Sequence, residues 1–295
     1  MSNPNDQAGG QAPLEFRTDH LRHALHTYHY PATGAAQGRV LLIQHGLGEH
    51  AGRYAHVARA FAAEGYEVFL WDHQGHGRSS GKRGAITGWR AFTAEVNSVR
   101  AEAERRLDAP HEVYLWGHSM GALALLYYLR HNPAAAGVRA AVATAPPLKL
   151  SFAPSPAIVR VAGLLAAVAP DLTKANEIDP RTLSRDPGVV SLYTVDPLVH
   201  DRVSMRLGAS LLAEADALLR GAVELPCPLL LMHGDADGVC DVDGSRAFAA
   251  RATAGAPVTF RVWPGLYHEL HNEPEQSEVL ALARDFLASP PNPPA

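Results

Sequence analysis

Short apolar runs alternate along the chain with longer amphipathic stretches. Residues 40–45 (VLLIQH), 66–72 (YEVFLWD), 112–117 (EVYLWG), 138–145, 228–233 and 258–263 read as strands. They are too short for buried helices, and β-branched and aromatic side chains recur among them. Residues 53–64, 89–107, 120–131 and 278–288 carry helical spacing, and a further helix begins near Ser245. Strand and helix in regular alternation predict βα units: a parallel sheet with helices on both faces. The unbroken apolar character of the strands fits that burial. The expected fold class is therefore α/β with a mostly parallel central sheet.

The rhythm breaks between residues 146 and 207. That stretch is rich in Pro, holds the apolar run 157–168 (AIVRVAGLLAAV), and then turns polar. It reads as an insertion folded over the C-terminal edge of the sheet, where open α/β sheets bind their ligands. The expected organisation is a core of residues 14–145 and 208–288, a helical cap at 146–207, and flexible tails at 1–13 and 289–295. With 295 residues, 47% hydrophobic, the chain can bury a sizeable core. A net charge of −4 offers no basic field for nucleic acid. The N-terminal residues lack the charged and apolar regions of a signal peptide. No apolar run approaches the ~20 residues of a membrane span. Two cysteines, Cys227 and Cys240, make no disulfide framework. These features suggest a cytoplasmic protein, at most peripheral to a membrane, and leave its oligomeric state open.

The candidate chemistry starts at Gly117-His118-Ser119-Met120-Gly121. A strand runs into this G-x-S-x-G motif and an Ala/Leu-rich helix leaves it, the setting of a nucleophile elbow. The α/β-hydrolase fold that uses this elbow orders its triad Ser, acid, His. His131, His200, His233, His268 and His271 follow Ser119. A late strand runs into Gly234-Asp235-Ala236-Asp237, and beyond it only His268 and His271 remain. His268, after the turn Pro264-Gly265, is the preferred base. Asp241 and Asp243 suit the cap of the helix near Ser245. Asp237 reaches further into the loop than Asp235, but spacing alone leaves both open as the acid. The oxyanion donors expected are the N–H groups of Met120 and of Leu47, in the loop His45-Gly46-Leu47-Gly48. His45, Glu49 and His50, or Asp72 through His76, could suggest a metal, but neither has a recognised zinc-hydrolase spacing. No metal and no cofactor is expected.

Together these motifs resemble the monoacylglycerol lipase and lysophospholipase family of α/β hydrolases, serine hydrolases of the bacterial type. The resemblance runs from about Phe16 to Leu287. It rests on His45-Gly46-Leu47-Gly48-Glu49-His50 with Gly52-Arg53-Tyr54, on Asp72-His73-Gln74-Gly75-His76-Gly77-Arg78-Ser79, on the elbow, on Asp196-Pro197-Leu198, on Gly234-Asp235-Ala236-Asp237 with Cys240-Asp241, and on Tyr267-His268. It implies that Asp237 is the acid and His268 the base. It implies hydrolysis of a fatty acyl ester, foremost a monoacylglycerol, through an acyl-enzyme, with lysophospholipid or another carboxylic ester as the alternative. It nominates Arg53, His118, Tyr193, Leu164 and Leu165 as substrate contacts. Where the family often carries an acid a few positions before that tyrosine, this chain has Val189. Within 157–168 the apolar side chains of Ile158, Val161, Leu164, Leu165 and Val168 cover more than one helix face, and Arg160 is the one charge. The expectation is a partly exposed helix at the mouth of an acyl tunnel, able to touch a membrane. A different class, a non-catalytic binding protein on the same fold, usually lacks a triad member, whereas Ser119, Asp237 and His268 are all present.

Overall fold

The computed structural model describes residues 11–107, 111–152, 156–221, 223–252 and 254–291; the side chains of 156–159, 161 and 254 lie outside that description. The strands are β1 (Leu14–His20), β2 (His23–Tyr30), β3 (Arg39–Gln44), β4 (Tyr66–Trp71), β5 (Glu112–His118), β6 (Val138–Thr144), β7 (Thr173–Ala175), β8 (Arg202–Ser204), β9 (Glu224–Leu225), β10 (Leu229–Gly234), β11 (Ala254–Gly255) and β12 (Val258–Trp263). The helices are α1 (Ala55–Ala63), α2 (Trp89–Arg106), α3 (Met120–His131), α4 (Pro156–Val168), α5 (Pro187–Val195), α6 (Met205–Arg220), α7 (Val242–Arg251) and α8 (Gln276–Ala288).

Eight strands form one sheet in the order β1-β2-β4-β3-β5-β6-β10-β12. From β4 to β12 every neighbouring pair is parallel. Side chains alternate across the strands with period two, as the pleat requires. Val40, Leu42, Val113, Leu115, Leu229 and Leu231 pack with α2, α3, α6 and α7 on one face. Leu41, Ile43, Tyr114, Trp116, Leu230 and Met232 pack with α1 and α8 on the other. The six strands expected from the pattern are all present, each within a residue or so of its expected ends.

Several elements escape the pattern reading, the largest being a hairpin and a long helix. The hairpin β1–β2 pairs antiparallel and extends the sheet through β2 and β4. Its first strand is half exposed and mostly polar, and its turn at Leu21 (φ 51°) lacks the usual Gly or Asn. The second is α6, which straddles the expected boundary at 207/208. Its N-cap Ser204 accepts from the Leu207 N–H at 3.2 Å. Leu218 and Ala215 enter the core, while Met205, Leu211 and Leu212 face a cavity bordered by Ser119. Between β6 and β10 the chain builds α4, the short pair β7–β8 and α5. Parts of the expected tails, residues 1–10 and 292–295, lie outside the described residues.

Strand register gathers four loops at one edge. Gln44 pairs with Gly117, His118 and Met232 with Thr144, and Gly234 with Trp263. The loops after β3, β5, β10 and β12 therefore leave the sheet side by side at its C-terminal edge.

Candidate active site

Ser119 occupies the turn between β5 and α3 with φ 51° and ψ −120°. A non-glycine residue in that region stores on the order of 1–3 kcal/mol, which the surrounding core must hold in place. The turn closes because its neighbours lack side chains. A Cβ on Gly117 would stand 2.5 Å from the Gly121 oxygen, and one on Gly121 would stand 2.4 Å from the Gln44 oxygen. The Ser119 N–H donates to the Thr144 oxygen (2.9 Å), which ties the elbow to β6.

The Ser119 hydroxyl lies 2.9 Å from His268 Nε2, and His268 Nδ1 lies 2.7 Å from Asp237 Oδ2. An ionised carboxylate only accepts, so Nδ1 carries the proton and Nε2 is free to take the serine's. Asp237 is itself anchored: its Oδ1 accepts from the N–H groups of Val239 (2.7 Å) and Cys240 (2.9 Å). His233 Nε2 lies 3.2 Å from Oδ2, and His233 Nδ1 lies 2.7 Å from the Ser245 hydroxyl. Burial would raise the Asp237 pKa, but His268 and His233 hold it well below the usual carboxylate range. Burial also works against charge on His268, yet the Asp237 carboxylate outweighs it and lifts the imidazole above 6.5.

The neighbouring candidates have other partners. Asp235 Oδ1 accepts from the Gly265 N–H (2.6 Å), bracing one loop against the next. His271 is buried and stacks on Tyr54 with ring centroids 4.6 Å apart. Asp241 caps α7 by accepting from the Asp243 N–H (2.9 Å). Leu47 and Met120 line the same cavity as Ser119, and a Cβ on Gly46 would stand 3.3 Å from the Ser119 Cβ. The loop after β3 thus packs directly on the elbow. Among the described residues, the one grouping with metal-ligand spacing is Asp237, Cys240 and His268, within the acid–imidazole–serine chain itself.

Above Ser119 lies a cavity of about 510 Å³, lined mainly by apolar side chains from α4, α6 and the loops after β6 and β10. Leu165 of α4 lines it; Leu164 does not, and is 70% exposed. Val168 is 80% exposed, with Phe152 and Leu172 also open to solvent, so α4 carries apolar surface outward as well as inward. The contributions expected from Ile158 and Val161 lie outside the described side chains. Cys240 lines the cavity wall; burial pushes its thiol well above the ordinary range, and Asp237 adds to this.

Besides Leu164, three more of the five expected substrate contacts are not on the cavity wall. His118 is buried, its Nδ1 lies 3.0 Å from the Thr144 hydroxyl, and burial with nearby His268 lowers its pKa to about 3. Arg53 is enclosed by Glu49 and Glu269. Tyr193 lies beneath the Arg53 guanidinium, 4.8 Å from ring centroid to charge, and packs with Val239 and Cys240. Sequence pattern marks these positions but cannot show that they are buried away from the cavity against other protein groups.

A strained serine between strand and helix, a histidine on its hydroxyl and an acid behind the histidine define a serine hydrolase of the α/β-hydrolase fold. The comparisons with known proteins agree. The family model described as "Serine aminopeptidase, S33" matches residues 35–275, and the chain belongs to that family, on its monoacylglycerol lipase branch. It is 38% identical over 251 residues to a monoacylglycerol lipase of Mycolicibacterium smegmatis, covering 85% of this chain and 88% of the relative. It is 32% identical over 238 residues to human monoglyceride lipase, covering 79% and 76%. The crystal structure of Paleococcus ferrophilus monoacylglycerol lipase superposes with a TM-score of 0.81 at 30% identity, over 90% of this chain and 98% of that one.

Proposed function

We propose that this chain hydrolyses the ester of a lipid-like molecule, foremost a monoacylglycerol, to a free fatty acid and glycerol. The observation that carries the reading is a hydrogen-bonded Asp237–His268–Ser119 chain opening into an apolar cavity of about 510 Å³. In this reading Ser119 attacks the ester carbonyl as His268 Nε2 takes its proton, and Asp237 stabilises the imidazolium. The N–H groups of Leu47 and Met120 receive the oxyanion. His268 returns the proton to the leaving alcohol, and water then releases the acyl group from Ser119. Leu165 and the facing side of α6 contact the acyl chain. Leu164 serves the outer surface, and Arg53, His118 and Tyr193 support the site from behind.

The family description names an aminopeptidase, and the cavity chemistry argues for the lipid. A peptide N-terminus needs an unpaired anion, but the acid on the cavity wall, Glu177, is paired with Lys174 at 3.1 Å and exposed. We read residues 146–207 as the cap, and the exposed Leu164, Val168 and Leu172 as a surface that rests on lipid while substrate enters. No described helix is long and apolar enough to cross a membrane. Independently of that, we read the chain as a cytoplasmic protein that meets membranes at their surface through these exposed cap side chains. Turnover measured across monoacylglycerols, lysophospholipids, aminoacyl amides and short esters tests the reading. Monoacylglycerols of medium or long chain should lead; a preference for aminoacyl amides would overturn it.

A further inference from the structure

Of the buried charged groups that the mechanism leaves unused, Arg53 links two loops of the site. Arg53 sits between two carboxylates with every member enclosed. Its Nη1 and Nη2 donate to Glu269 Oε1 and Oε2, each at 2.7 Å, and Nη1 also donates to Glu49 Oε2. Glu49 Oε1 accepts from the Tyr54 hydroxyl (2.7 Å) and from the Gly46 N–H (2.7 Å). Glu269 Oε2 also accepts from Asn272 Nδ2 (2.8 Å), and the Glu269 N–H donates to the Leu183 oxygen (2.7 Å). Glu269 follows His268 in the chain, and Gly46 precedes Leu47. The guanidinium therefore clamps the loop of the base to the loop of the oxyanion donor. Two carboxylates against one guanidinium also leave this buried cluster with a net charge of about −1 beside the imidazole.

We propose that Glu269 and Glu49, joined by Arg53, are positioning residues for the hydrolysis: they fix the two loops relative to each other and supply a second negative field that favours the His268 imidazolium. This rests on His268 as the base in the proposed reaction. The groups that face His268 fit the assignment. Asp237 bonds its Nδ1, with His233 and Cys240 behind that carboxylate. His118 stands with its ring 4.8 Å away, and His271 lies beyond it. His118 and His271 are held neutral, mainly by burial, so they add no opposing charge. After Asp237, Glu269 and Glu49 are the groups that raise the His268 pKa. A salt bridge serving packing alone would need no excess of charge.

The test uses Glu269→Gln and Glu49→Gln, which keep size and remove charge, and Arg53→Lys, which keeps charge and loses the fork. Two rates are followed against pH: labelling of Ser119 by a fluorophosphonate, and kcat/KM on a p-nitrophenyl ester. A neutral imidazole is required for attack, so the acid limb of each profile reports His268. Both Gln variants should move that limb to lower pH by ~0.5 unit or more, because the imidazolium loses a stabilising charge. Arg53→Lys should lower kcat ~10-fold with KM little changed, because the loops lose their fixed geometry. An acid limb unmoved or raised in folded Gln variants overturns the proposal, whatever their activity. Failure of both Gln variants to fold also overturns it and leaves the cluster a stabilising role. Wild-type protein that labels but hydrolyses no monoacylglycerol would refute the substrate reading and leave this test intact.

Discussion

Two buried carboxylate–imidazole pairs stand at the same edge of the sheet, Asp237 with His268 and Glu95 with His73. Each joins a carboxylate to a histidine Nδ1, and each carboxylate accepts further protein hydrogen bonds. Glu95 takes the Trp71 indole N–H at 3.0 Å and the Gln74 N–H at 2.9 Å. The difference lies at the other ring nitrogen. His268 Nε2 meets a serine hydroxyl that borders a cavity. His73 Nε2 is buried, with no partner among the described residues, and the His73 N–H donates to His45 Nε2 at 2.9 Å. The first pair can pass a proton to a bound molecule. The second holds the loop after β4 against α2, which carries Glu95. A buried acid–imidazole pair is thus not a catalytic device until its far nitrogen reaches a nucleophile and a space for substrate.

The sharpest way to break this contrast is to remove the nucleophile. Ser119→Ala should lower ester turnover by ~10⁴-fold or more while leaving the thermal midpoint near wild type. Turnover retained by pure protein would end the reading. The acids come next. Asp237→Asn should cost ~10⁴ in kcat, the scale seen in serine proteases. Asp235→Asn, which touches only a turn, should cost less than ~10-fold in activity. Glu95→Gln should lower stability by ~1–3 kcal/mol, because three donors lose a charged acceptor, while kcat on the folded fraction changes little. Parallel melting curves and kinetics on the three variants check this; an Asp235 effect above that of Asp237 would reassign the acid.

Acidity gives a milder handle. The His268 pKa is raised in the folded enzyme, and the base must be neutral to accept a proton. Activity should therefore fall as pH drops through a midpoint above 6.5, the ordinary histidine value. A kcat/KM profile flat down to pH ~5 would contradict the His268 environment described here. The smallest effects belong to the cap. Leu165→Ser should slow long-chain esters several-fold more than short ones, since one buried leucine contact is worth ~2 kcal/mol. Leu164→Ser should weaken liposome binding and leave the chain-length profile unchanged. The same shift from both would show that α4 has no separate inner and outer faces.

Much of the site is legible in the amino-acid order. Ser119 stands out because a nucleophile elbow is local: strand, Gly-x-Ser-x-Gly and helix are contiguous, and the glycines answer a clash within a few residues. Chain order narrows the base to His268 and His271, and the turn Pro264-Gly265 favours the first. The β1–β2 hairpin is not legible in this way, because its exposed first strand carries little apolar signal. Nor is α6, which divides its apolar residues between core and cavity and begins inside the expected insertion.

What the amino-acid order alone determined is the alternation of strand and helix, the elbow, and a short set of acids and bases. Tertiary structure decided among them. Asp237 rather than Asp235 meets His268 because β10 and β12 lie side by side, bringing together residues 31 apart. Ser119 meets a histidine 149 residues away because only β6 and β10 lie between β5, which leads to the serine, and β12, which leads to the histidine. Arg53 proved enclosed because Glu269, 216 residues away, folds onto it. Periodicity and turn sterics act over a few residues and leave their mark in the sequence. A hydrogen bond between distant side chains depends on angstrom-scale placement that only the packed sheet and its loops impose.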